Sequence, residues 1–156
     1  MKKILIAVLA LLAAGVMMIA IPLSGRFAVI QYKRRVEMDA LSAEGEDGWL
    51  RAERGGVATL LEGGNIRRVT RLITPIELTR AYSQRQAQEE IRLTYSSGDT
   101  LRLLSDAARE DRVLIEFTSG GQDALFALEG RHVLEALEEA VSPEGFSGAN
   151  TVVEGE

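Results

Sequence analysis

Apolar residues fall into three regimes along this chain. From Ile4 to Leu23 they form a run without a single charge. A helix of that run, at 1.5 Å per residue, is about 30 Å long, the thickness of a bilayer core. From Trp49 onward, apolar and polar positions alternate in short stretches separated by glycine turns, the pattern of antiparallel strands. Near the C-terminus Val133, Leu134, Leu137 and Val141 recur at helical spacing, and Ser142-Pro143 stops the series.

The strand regime divides at its turns. Trp49–Arg54 and Val57–Glu62 flank Gly55-Gly56 and predict a hairpin. Ile91, Leu93 and Tyr95 alternate with polar residues, Ser97-Gly98-Asp99 turns the chain, and Leu101 and Leu103 return. Val113, Ile115 and Phe117 repeat the arrangement, with Ser119-Gly120-Gly121 as the turn and 124–128 as the return. The segments LTYSSG at 93–98 and IEFTSG at 115–120 agree in residue type everywhere except Thr94 against Glu116. Two such copies read as a meander, since shared turn chemistry accounts for the match as well as duplication does. Thr74-Pro75-Ile76-Glu77 has the form of a capping box with Pro at the first helical position and predicts a helix start. Ile76, Leu78, Ala81 and Tyr82 would be its apolar face, ahead of the polar stretch 84–90. The glycine pairs at 55–56, 63–64 and 120–121 are read as turns, because none stands in a phosphate-loop frame.

The predicted fold class is therefore α+β: an N-terminal transmembrane helix, then an antiparallel meander of about 5–7 strands packed with a C-terminal amphipathic helix. Four regions follow: an anchor with a basic flank at 1–35, an acidic spacer at 36–48, the α+β domain at 49–141, and a disordered acidic tail at 142–156. Strand alternation gives the sheet one apolar face, so Leu93, Tyr95, Val113, Ile115 and Phe117 are expected to share a core with Val133, Leu134 and Leu137.

Charge sharpens this picture. Residues 1–35 hold six bases and no acid, whereas 36–156 hold all 23 acids and 12 of the 18 bases, a formal −11. So acidic a domain repels nucleic-acid phosphates, and no nucleic-acid role is expected. A cleaved signal peptide has a shorter apolar region and a small-residue cleavage site. Here the candidate sites at Ala13-Ala14-Gly15 and Leu23-Ser24-Gly25 fit poorly, and Arg26 stands where a lipobox would need Cys. A retained single span through Ile4 to Leu23 is the leading expectation, with signal cleavage as the alternative. Arg26, Tyr32, Lys33, Arg34 and Arg35 are the expected membrane-interface residues, since Tyr and snorkelling bases suit the headgroup layer. Bases on the two sides of the run nearly balance. Lys2 and Lys3 abut it while the trio at 33–35 is displaced, which leans the domain towards the extracytoplasmic side.

Candidate chemistry is sparse. The chain has no Cys and one His, His132, so thiolate zinc sites, cysteine nucleophiles and His pairs are excluded. No G-x-S-x-G elbow marks a serine nucleophile, and the carboxylates are scattered. No metal, no cofactor and no enzyme activity are expected. The segment 65–88 stands out from its acidic surroundings with five Arg against Glu77. Arg67, Arg68 and Arg71 are therefore the candidate contacts for an acidic partner, the competing reading being internal pairing with the acidic flanks.

The segments GGNIRRVTRLI, EIRLTYSSGDTLRLL and ALEGRHVLEALEEA, over about residues 49–141, resemble in pattern the small membrane-anchored bacterial proteins with a PH-like domain. The sequence departs from that pattern where Glu129-Gly130 leads into the last helix and Ser-Pro follows it. The resemblance implies a tethered binding domain at a bacterial cell membrane and no reaction. The expected function is thus that of a single-pass membrane protein whose small domain binds a protein partner. The alternative is an exported ligand- or envelope-binding domain released by signal cleavage.

Overall fold

The computed structural model describes residues 2–83 and 87–142, and within helix α1 (Lys2–Ala43) the side chains of Ile6 and of residue 24 onward. Seven strands follow α1 in one antiparallel sheet: β1 (Leu50–Arg54), β2 (Val57–Leu61), β3 (Thr79–Arg80), β4 (Ala87–Tyr95), β5 (Thr100–Asp106), β6 (Arg112–Ser119) and β7 (Gln122–Glu129). Helices α2 (Gly63–Ile73) and α3 (Arg131–Val141) are the remaining elements among the described residues. The sheet order is β2-β1-β4-β5-β6-β7-β3, so the meander proper is β4 to β7. The hairpin β1–β2 joins it through β1 against β4, and β3 crosses to the far edge beside β7. Two of the three turns expected at glycine pairs occur, with positive φ at Gly55, Gly56, Gly120 and Gly121. That geometry matches the twist of the flanking strands and is strained for residues with a Cβ.

One sheet face is buried. Leu50, Ile91, Leu93, Tyr95, Leu101, Leu103, Val113, Ile115 and Phe117 meet Val133 and Leu137 of α3 in a single core, with Leu134 partly buried against it. This is the core that strand alternation and the last helix foretold. The cover is broader than one helix, because Ile66, Val69 and Ile73 of α2 and Tyr32, Val36, Ala40 and Ala43 of α1 enter the same cluster. On the opposite face Leu104, Leu114 and Ala127 form a small apolar patch with Ala81. Beside it Arg102 bridges Glu89 and Glu116, which gives that face its ionic ladder.

Three expectations change. The helix foreseen from Thr74 onward is absent, and α2 ends there instead. Thr74 is its C-cap, and the Thr74 hydroxyl donates to the Thr70 carbonyl at 2.7 Å. The spacing Ile66, Val69, Ile73 drives the helix onto the core, and the residue before a proline is a natural place for a helix to end. Gly63-Gly64, read as a turn, accordingly forms the first turn of α2. Secondly, residues 36–43 of the expected acidic spacer continue α1 and dock, since Val36, Ala40 and Ala43 share one buried stripe, Glu37 faces solvent and Asp39 is itself buried beside the stripe. Thirdly, Tyr32, expected at the membrane interface, is fully buried.

The run Ile4–Leu23 lies within α1, but its side chains, Ile6 excepted, lie outside the described residues. Among the described residues no helix is long and apolar enough to cross a membrane. The expected tail lies outside them too, from residue 143 onward.

Candidate functional site

The docked half of α1 builds the most unusual chemistry in the domain. Its register places Tyr32, Val36, Ala40 and Ala43 towards the core, with Arg35 and Asp39 beside them one turn apart. Tyr32 is the centre of the junction. Its ring meets Phe117 edge-on at 5.3 Å and Phe126 at 4.4 Å, and its hydroxyl donates to the Ile73 carbonyl of α2 at 3.0 Å. One side chain thus ties α1 to the sheet and to α2.

Next to it lies a carboxyl pair. Asp99, in the β4–β5 turn, is only 4% exposed, as is Asp39. Asp99 accepts hydrogen bonds from Arg35 Nε at 2.7 Å and from the Ser119 hydroxyl at 2.8 Å, while its own N–H donates to the Ser97 hydroxyl. Ser97 and Ser119 are equivalent positions of the repeated LTYSSG and IEFTSG segments, so the repeat brings both serines to one residue, Ser119 to the Asp99 carboxylate and Ser97 to the Asp99 N–H. Asp39 Oδ2 stands 3.6 Å from Arg35 Nε and, like the Tyr95 hydroxyl, is buried without a hydrogen bond.

The two carboxyls are pushed apart in acidity. Burial, followed by a hydrogen bond to Asp99, pushes the Asp39 carboxyl up to about 6. Burial also acts to raise Asp99, but hydrogen bonds from Arg35, Ser119 and Asp39 outweigh it and hold that group below the ordinary carboxylate range. Tyr95 is raised by burial and then by both carboxylates. Two carboxyls so close favour sharing one proton, which below about pH 6 resides on Asp39. The pair resembles a general acid–base dyad in its electrostatics, yet both carboxyls are buried and the charge they share is neutralised by Arg35. Its chemistry is that of a lock between α1 and the β4–β5 turn.

Beside the lock a groove of about 550 Å³ opens between α1 and the β6–β7 hairpin. Tyr32, Phe117 and Phe126 form its floor, and Arg34, Arg35 and Arg80 border it. The Arg80 guanidinium lies 5.3 Å over the Phe126 ring. Of the other expected interface residues, Arg26 and Arg34 are exposed and Lys33 is half-buried.

The expected partner contacts lie together on α2, where Arg67, Arg68, Arg71 and Leu72 border a shallow depression of about 490 Å³. Two of the three are engaged inside the domain: Arg67 pairs with Glu44 at 3.1 Å and Arg68 with Glu139 of α3 at 2.9 Å. Arg71 is exposed. His132 is exposed near the start of α3. Among the described residues no cluster of three or more His, Cys, Asp or Glu is set to hold a metal ion.

Asp39, Asp99 and Arg35 did not stand out as a set in the sequence. The signal that was present is the paired serine turns, and what was absent was any hint that α1 returns to them across 64 residues. The chain matches no family model, no curated protein and no solved structure.

Proposed function

We propose that this chain is a membrane-tethered, non-catalytic binding domain, with Ile4–Leu23 crossing the bilayer and the α+β domain meeting a protein partner at the membrane surface. The observation that carries this reading is the continuity of α1. A single helix includes the uncharged run and ends with Tyr32, Val36, Ala40 and Ala43 inside the core. A flexible tether would let the domain roam, whereas a helix locked at both ends holds it against the bilayer. The PH-like resemblance supports the same class of role. The poverty of accessible catalytic groups favours binding over reaction.

The partner surface best supported is the outer stripe of α1. Phe27, Ile30, Met38 and Leu41 are 54–72% exposed and lie on the helix face opposite the docked residues. A stripe continuous with a membrane span suits a helix of a second membrane protein running alongside. Arg71, with Arg67 and Arg68, adds a cationic contact for an acidic segment of such a partner. The alternative role, an exported domain freed by signal cleavage, calls for a mature N-terminus close to Arg26.

Membrane fractionation with N-terminal sequencing tests the tether. The full chain should stay in the membrane pellet through alkaline wash with its N-terminal run intact, and recovery as a soluble protein lacking that run would overturn the reading. Protease added to intact spheroplasts should digest the domain if it lies outside the cytoplasm, and full protection would reverse that orientation.

A further inference from the structure

The two most exposed large apolar side chains among the described residues are Ile76 at 91% and Tyr82 at 75%. They flank β3, and between them Leu78 and Ala81 are buried. The segment is pinned, because Thr79 and Arg80 pair with Ala127 and Phe126 and the Ala81 N–H donates to the Leu125 carbonyl. Its exposed apolar tips are therefore held out by a rigid base.

The position of this segment along α1 is set by Gly25. A Cβ on that glycine would lie 3.6 Å from the Arg80 Cβ and 3.7 Å from the Tyr82 hydroxyl oxygen. Gly25 is two residues past Leu23, about 3 Å at the helix rise. If Ile4–Leu23 fills the hydrocarbon core, Arg80 and Tyr82 stand within the headgroup layer, which is about 5–7 Å deep on each side. Tyrosine favours that layer because its ring is apolar and its hydroxyl stays wet.

Charge agrees with the same placement. Arg26, next to Gly25, and Arg34 are exposed on α1, and Arg34 borders the same aromatic groove as Arg80. Glu77, Glu116 and Asp123 are the acids nearby; Asp123 is engaged by the Thr118 hydroxyl and Glu116 by Arg102. Most of the domain is acidic and is repelled by anionic lipid, and this corner is the basic face that lies beside the end of the uncharged run.

The geometry points to a second membrane contact. The β3 segment lies on the bilayer with Ile76 and Tyr82 in the headgroup region, where Arg80 and Arg26 hold the phosphate of an anionic phospholipid. This rests on the tether reading, and it adds to it a fixed orientation of the domain with a lipid headgroup as ligand.

The absence of native cysteine makes the test direct. The full chain is reconstituted in vesicles of phosphatidylcholine, alone or mixed with phosphatidylglycerol, carrying one spin label at a time through Ser83→Cys, Leu60→Cys or Ala14→Cys. Collision with a water-soluble relaxant is then compared with collision with oxygen. The label at 83 should be severalfold less accessible from water than that at 60 on the opposite sheet edge, and more deeply placed when phosphatidylglycerol is present. Arg26→Glu, or Arg80→Gln if the charge reversal disturbs insertion, should remove the phosphatidylglycerol dependence. Ile76→Ser with Tyr82→Ser should bring the label at 83 into water. Equal water access at 83 and 60, with the label at 14 in hydrocarbon, would overturn the second contact and leave the tether standing. Water access at 14 as well would remove both.

Discussion

Asp39 and Asp99 show how one buried residue couples the fold to pH. Asp39 titrates higher in the folded chain than an ordinary carboxyl, so the folded state holds its proton more tightly than the unfolded chain does. Its contribution is full below the ordinary carboxylate range and is lost as pH rises towards about 6. Asp99 is lowered, so its contribution holds above the ordinary range and is lost only in stronger acid. Around Asp39 stand Arg35 on its own helix and Ser97, Asp99 and Tyr95 from the sheet. Raising pH across about 6 should lower the urea midpoint of the detergent-solubilised chain, and Asp39→Asn should flatten the profile there. A profile unchanged by the substitution would show that the carboxyl pair is not the coupled group. Tyr32→Phe should cost about 1–3 kcal/mol by leaving the Ile73 carbonyl buried and unpaired, read from the same midpoint.

At the scale of elements, the hairpins and α3 were legible because alternation, glycine turns and helical spacing are local signals. The two β-turn serines and the Val133, Leu137 face needed no knowledge of the partner strands. The helix at Thr74 was misread because a capping box and a C-cap followed by proline look alike when only a few residues are weighed. The apolar spacing of Ile66, Val69 and Ile73, available in the sequence, is the stronger signal, since packing of an apolar face outweighs capping. Ile66→Ala should therefore cost about 2–5 kcal/mol. Ile76→Ala should stay within about 0.5 kcal/mol, because Ile76 is solvent-exposed and off the core. Paired denaturation curves of the two variants decide between the helices, and a large loss at Ile76 would restore the misread one. Leu137, fully buried, should likewise be more sensitive to alanine than Leu134, which is only partly covered.

For the whole molecule, the acidic field and the arginines of α2 meet in a way that composition alone left open between two readings. Arg67 and Arg68 are tied to Glu44 and Glu139, which staple α2 to the end of α1 and to α3. Exposed pairs of this kind contribute about 0–1 kcal/mol each. Arg67→Glu with Arg68→Glu should thus leave the domain folded, with a modest loss of midpoint, while weakening capture of an acidic partner. That capture should also fade as salt rises, because surface charges are screened over about 8 Å at physiological ionic strength. Unfolding of the double variant would assign these arginines wholly to internal pairing.

The sequence by itself determined the class of the molecule: an uncharged run of membrane length, a strand meander with its inward face, a closing amphipathic helix, and an acidic domain without thiol, His-pair or nucleophile motifs. Those properties are written in neighbouring residues, whose spacing obeys the period of one helix or one strand. Only the tertiary structure decided that the basic and acidic stretch after the run is a docked helix, that Tyr32 is core and not interface, and that Arg35, Asp39 and Asp99 form one lock. The physical reason is that burial and hydrogen bonding are relations between distant segments. A Tyr followed by three bases has the same local pattern at a headgroup as in a core, and only the phenylalanines and the carboxylate supplied by remote strands choose between them.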